Sequence, residues 1–156
     1  MKRPPVIKSC FCAAIIAAAA LPLSAHAQFA KPEDAIKYRQ SALSVMGTHF
    51  ARIGAVVRGA VPYDAQQVQN NAALVETMSV LPWQGFMSGT EKGGNTRAKP
   101  EIWSDSAKFK TAQDNMIKAV ANLSTASKSG NLDQVKAAFG DAGRACKACH
   151  DDFRRE

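Results

Sequence analysis

The chain has 156 residues, 46% hydrophobic and 21% charged, with a formal net charge of +7 and four cysteines. That length fits one domain with its own core, and the apolar content excludes a disordered chain. The cations are spread along the sequence instead of gathering in runs, so the charge gives no warrant for nucleic-acid binding.

Residues 1–27 read as a removable export leader. Lys2, Arg3 and Lys8 precede an apolar stretch from Cys10 to Leu23, and Ala25-His26-Ala27 has the small-x-small pattern of a signal peptidase site. A transmembrane anchor is the competing reading, but the run is rich in alanine and falls short of the ~20 residues a bilayer demands. The expected mature chain is one domain over 28–156, periplasmic given the bacterial style of the leader and not inserted in the membrane after cleavage. It keeps 17 Lys and Arg against 13 Asp and Glu, a net +4, and only two of the cysteines, Cys146 and Cys149.

The first predicted helix opens near Pro32, a residue suited to a first turn, with Glu33 and Asp34 where the helix dipole favours acids, and runs to about Val57. Ile36, Leu43, Phe50 and Val57 recur every seven residues, and Arg39, Met46 and Ile53 form a companion row, so one stripe faces a core. Arg39 is its odd member. The second helix is expected from about Asp64 to Leu81, with Val68, Leu74, Val75, Met78 and Leu81 at helical spacing and Pro82 stopping it. From Pro82 to about Pro100 the chain holds Gly85, Gly89, Gly93 and Gly94 and reads as an irregular loop, long enough to be functional.

A third helix is predicted from about Ile102 to Lys128, carrying Phe109, Met116, Val120 and Leu123. Gly130 ends it, and Asn131 caps the next, with Gln134 as a capping-box partner. In the fourth, Leu132, Val135, Phe139, Ala142, Cys146, Cys149 and Phe153 step by three and four without a break. With no alternating strand pattern, the economical architecture is an all-α antiparallel bundle of four helices.

The chemistry sits in Cys146-Lys147-Ala148-Cys149-His150. Two thiols three positions apart on a helix share a side and suit addition to the two vinyl groups of one haem c, leaving the adjacent His150 to coordinate its iron. Three other readings compete. A disulfide suits an oxidising compartment but would close too small a loop to staple a domain of this size. Zinc wants four ligands, and His49 is the one further histidine of the mature chain. A thioredoxin-like dithiol would stand at a helix start after a strand, whereas this motif ends a helix.

The mature chain resembles cytochrome c′, through Gln28 to Ala35, Lys37 to Leu43, Leu81-Pro82-Trp83, Pro100 to Asp105 and Cys146 to Asp151, stretches that touch all four helices. The resemblance implies an up-down-up-down four-helix bundle with the haem in its core, one haem per chain, and a homodimer packed largely through the first two helices. It also implies a five-coordinate, high-spin iron whose face opposite His150 is closed by the non-ligating Leu43. Arg39, Gln40 and a polar residue after Gly93-Gly94 are implied at the haem, with Thr96 chosen for that place and Asn95 second. Phe153 departs from the pattern, since relatives often carry Tyr there.

Arg39 would be costly in a dry row and so calls for an anionic partner, which a haem propionate supplies. Met46 on the core row reads as packing before ligand, and His49, beside Phe50, as a surface or dimer-facing residue. Trp83, Phe86 and Trp103 read as core or haem-edge packing. Arg154, one turn after His150, is expected either beside the haem or as a cation favouring the helix end. The expected function is binding of small gases such as nitric oxide and carbon monoxide, electron transfer with a partner the sequence does not identify, or both. A six-coordinate, low-spin carrier is the alternative, and an enzyme is not expected because no acid–base pair accompanies Leu43.

Overall fold

The computed structural model describes residues 28–156, so the expected leader over 1–27 lies outside the described residues. Helix α1 spans Pro32–Val57 and α2 Ala65–Ser79; a 3-10 turn follows at Pro82–Phe86, then a single helical turn, α3, at Glu101–Ser104, with α4 over Ser106–Ser127 and α5 over Leu132–Phe153. Helix α1 packs on α2, α2 on α4, α4 on α5 and α5 back on α1, which closes a ring of four long helices. Trp83 and Phe86, just after α2, meet Phe109 at the start of α4, and Phe109 meets Phe153 at the end of α5. Arg39 in the second turn of α1 reaches Gly85 at that same end. The four long helices therefore alternate in direction, and the chain is an all-α, up-down-up-down four-helix bundle. No described helix is long and apolar enough to cross a membrane.

Local chemistry accounts for the boundaries. The Asp64 carboxylate accepts from the Gln67 amide at 3.1 Å and starts α2. The expected third helix is broken, because Asp105 leaves helical geometry (φ −125°, ψ 59°) and caps α4 through the Lys108 amide at 3.1 Å. Asn131 caps α5 by accepting from the Asp133 and Gln134 amides, but its own N–H donates to Ser129 Oγ, so the reciprocal half of the expected capping box is made by serine. Gly130 takes φ 67° after α4, a left-handed value that a side chain resists.

The core joins Ile53, Val68, Ala72, Val75, Met116, Val120, Leu123, Val135 and Ala142 from all four helices. Each fully buried aliphatic side chain contributes about 1.5–3 kcal/mol. On α1 the companion row proves the deeper one: Arg39 is 1%, Met46 9% and Ile53 0% exposed, while Leu43, Phe50 and Val57 are half-buried. Leu43 and Phe50 pack against the core while lining a cavity on their other side. Leu74, expected in the stripe of α2, is exposed; Ala72 and Ser79 occupy the buried face.

Candidate functional site

A cavity of about 760 Å³ opens between α1 and α5, within the size range of small-molecule and cofactor sites. From α5 come Cys146, Cys149 and His150, the order that helical spacing requires for residues sharing one face. From α1 come Leu43, Met46 and Phe50, which offer carbon and one thioether, with the polar Arg39, Gln40 and Ser44 beside them. Phe50 stacks on Phe139 with ring centroids 4.3 Å apart, fixing that end of the wall. Trp83, Phe86 and Phe109 close another side as a linked aromatic cluster, and the indole N–H of Trp83 donates to Ser79 O.

Both cysteines are free thiols and half-buried. Burial pushes the Cys146 thiol above its ordinary value, and burial, then Cys146 and Asp152, push Cys149 to about 11. The imidazole of His150 is held below its ordinary value, first by the desolvation of its packed side and then by Arg97. The neutral ring that results has a lone pair to give to a metal. Two protonated thiols and a neutral imidazole, on one face of one helix beside a largely apolar cavity, fit a c-type haem. Cys146 and Cys149 would hold its vinyl edges and His150 its iron. Among the described residues no group of three His, Cys, Asp or Glu side chains is gathered for a bare metal ion.

The polar residues expected here meet at one edge of the cavity. Arg39 donates from Nη1 to Gly85 O at 2.7 Å and to Thr90 Oγ1 at 2.7 Å, and from Nη2 to Thr90 O at 2.9 Å and Thr96 Oγ1 at 2.8 Å. Its guanidinium lies 4.4 Å from the centroid of Phe86. Burial lowers its pKa to about 10, partly opposed by Glu91, so it stays cationic at neutral pH. Neutral oxygens of the loop surround both Nη atoms and hold the guanidinium in place at the cavity edge.

Gln40 Nε2 donates to Asn95 Oδ1 at 3.2 Å, so Asn95 and Thr96 both take part, Asn95 through Gln40 and Thr96 through Arg39. Arg154 also lines the cavity, whereas His49 does not, bonding instead to Asn71 of α2 at 2.8 Å. Arg97 and Thr90 were not singled out by sequence. Arg97 sits at the rim, and Thr90 is 0% exposed behind the wall. A lone threonine in a glycine-rich loop carries no periodic signal. The segment that holds Thr96 and Arg97 is fastened to the end of α5: Lys99 N–H donates to Phe153 O at 2.9 Å and Arg155 N–H to Arg97 O at 2.8 Å.

Comparison with known proteins agrees with this geometry. A family described as Cytochrome C' matches residues 34–154. The chain is 53% identical over 129 residues to cytochrome c′ of Alcaligenes xylosoxydans xylosoxydans, a match covering 83% of this chain and 99% of that one. The crystal structure of cytochrome c′ from Rubrivivax gelatinosus superposes with a TM-score of 0.80 at 50% identity, covering 82% of this chain and 100% of that one. The nitric oxide complex of a leucine-to-alanine mutant of cytochrome c prime from Alcaligenes xylosoxidans gives a TM-score of 0.77 at 51% identity, over 83% of this chain and 99% of that one.

Proposed function

The chain belongs to the cytochrome c′ family, whose cofactor is a c-type haem, and on that premise we propose that it is a periplasmic haem protein that binds small gases and passes electrons. One haem would be held covalently through Cys146 and Cys149 and its iron by His150, and the expected iron is five-coordinate and high-spin. The carrying observation is the pairing of walls: His150 lines the cavity from α5, while Leu43 and Phe50 line it from α1 with side chains unable to ligate iron. When bound, the haem supplies an iron that exchanges one electron and takes a diatomic ligand at its open face.

The residues of the chain hold and shield that group. His150 would donate its lone pair, the aromatic cluster of Trp83, Phe86 and Phe109 would exclude water from one side, and Arg39, which lines the cavity, would face the carboxylate-bearing edge. Leu43 sets a steric threshold that favours small gases over larger ligands. A structure related at 51% identity holds nitric oxide, which supports nitric oxide and carbon monoxide as ligands here. The α1 wall beside Leu43 supplies Ser44 and Gln40 but no acidic side chain to form an acid–base pair, so we read a binder and carrier and not an enzyme.

A homodimer is part of the proposal. The large exposed apolar side chains are Val45 on α1, Val61 in the turn between α1 and α2, Leu74 on α2 and Val80 at its end, all on the first two helices and their connection. One observation favours the six-coordinate alternative: Met46 lines the same cavity as Leu43, so its thioether shares the space of the iron. The absorption spectrum of the reduced protein with and without carbon monoxide separates the readings. A high-spin spectrum that shifts on adding the gas is expected; a low-spin spectrum indifferent to it would install the electron carrier.

A further inference from the structure

Arg39 is the only fully buried charged side chain among the described residues. Each Nη of a guanidinium carries two protons, and all four are spent here on uncharged oxygens of the Gly85 to Thr96 loop. The ion pairs of the described residues lie at the surface and involve other cations. The charge of Arg39 is therefore held in a low-dielectric wall without a contacting carboxylate from any described residue. Glu91 acts on it only at longer range.

Two of the four acceptors belong to Thr90, its hydroxyl and its carbonyl. Having accepted from Arg39, that hydroxyl sends its own proton to Met87 O at 2.7 Å, which fixes its rotor. The Thr90 amide also donates to Met87 O, at 3.2 Å. The loop cannot drift from α1, because Gly85 packs so close that a Cβ there would stand 2.7 Å from Ala35 O and 2.8 Å from Arg39 Cβ. Arg39 lines the cavity, but Thr90 does not. Thr90 thus acts on the site only through the arginine.

We propose that Thr90 is a positioning residue for the cofactor: from behind the cavity wall it fixes the Arg39 guanidinium so that its positive charge bears on the bound haem and holds its reduction potential up. The inference rests on the haem reading above. A fixed positive charge favours the reduced state of the iron, which carries one positive charge fewer, and water or a swinging side chain would weaken that field.

The test uses haem-bearing protein with Thr90→Val, Thr90→Ser and Arg39→Gln, each checked for haem mass and titrated for its potential. Thr90→Val, which keeps shape and removes the hydroxyl, should retain the haem. Its ratio of reduced to oxidised protein at a fixed ambient potential should fall about 3–10-fold, a tenfold fall being ~59 mV for one electron. Thr90→Ser should restore the ratio, and Thr90→Val should add nothing in an Arg39→Gln background. A wild-type potential in Thr90→Val, or additive effects of the two substitutions, overturns the proposal. Should Thr90→Val fail to mature, Thr90→Ala removes the same hydroxyl without bulk and must show the same fall. A wild-type chain lacking the haem mass overturns the haem reading, and the inference with it; a potential unmoved in haem-bearing Thr90→Val overturns the inference alone.

Discussion

Leu43 of α1 and His150 of α5 line one cavity although 107 positions separate them in sequence. If His150 takes one face of the iron, Leu43 governs the other. Leu43→Ala should speed carbon monoxide binding in stopped-flow measurements by removing the side chain the gas must displace. Leu43→Met should act oppositely, supplying a thioether, turning the spectrum low-spin and suppressing gas binding. Met46→Leu is the control: a volume-conserving core change costs under about 1.5 kcal/mol and should leave the spectrum nearly unchanged. Loss of a wild-type low-spin spectrum on Met46→Leu would instead show that Met46 was the ligand.

Replacing both thiols, Cys146→Ser with Cys149→Ser, should yield little stable haem protein. The cavity of about 760 Å³ is lined from all four long helices, and a haem would supply close-packed contacts to those walls. Thermal melts and haem content measured together check this. A double variant that melts like the wild type would show that the bundle does not depend on its cofactor.

Arg39→Leu should retain covalent haem but cost about 1–3 kcal/mol in denaturant unfolding, the range for leaving buried polar groups unpaired. Gly85 O, Thr90 O, Thr90 Oγ1 and Thr96 Oγ1 all lose a donor together. Glutamine can replace only part of that array, so Arg39→Gln should fall between leucine and wild type. Unchanged stability in both variants would contradict the buried geometry.

If His150 ligates the iron, that bond should also respond to Arg97. The imidazole is held below its ordinary value by desolvation and by Arg97, so the folded state binds fewer protons there than the unfolded chain does. Stability from this group is thus present at neutral pH and lost as pH falls through 6.5 toward the lower folded value. Arg97→Glu removes the repulsion and adds attraction, so the acid-induced spectral change should move to higher pH. A titration that moves to lower pH, or not at all, would remove Arg97 from the surroundings of His150.

Helix content and the thiol–imidazole motif were legible in sequence because each has a regular spacing: the stripe running from Leu132 to Phe153 could be read before any coordinates. The up-down-up-down order, by contrast, came from the family resemblance. Arg39 also announced itself, as a cation in an apolar row. Its partners did not, since Gly85, Thr90 and Thr96 come from a loop whose path follows no repeat. Helix periodicity likewise could not rank the two rows of α1, because Leu43 and Phe50 face a cavity, Ile53 a core and Met46 both, and both environments select apolar side chains. The break at Asp105 was hidden for a related reason: the apolar spacing continues across it, while a single carboxylate starts α4 anew.

The ring of helices also orders events during folding. Three of its four contacts, α1 with α2, α2 with α4 and α4 with α5, join neighbours along the chain. The fourth brings α5 to α1 and must close a loop of roughly a hundred residues, the costliest encounter by loop entropy and the one expected last. Cys146 and Cys149 ride on α5, so a haem approaching them before that closure meets a trough open along one side. The molecule is then best pictured as a book that shuts on its cofactor, its spine made of α2 and α4.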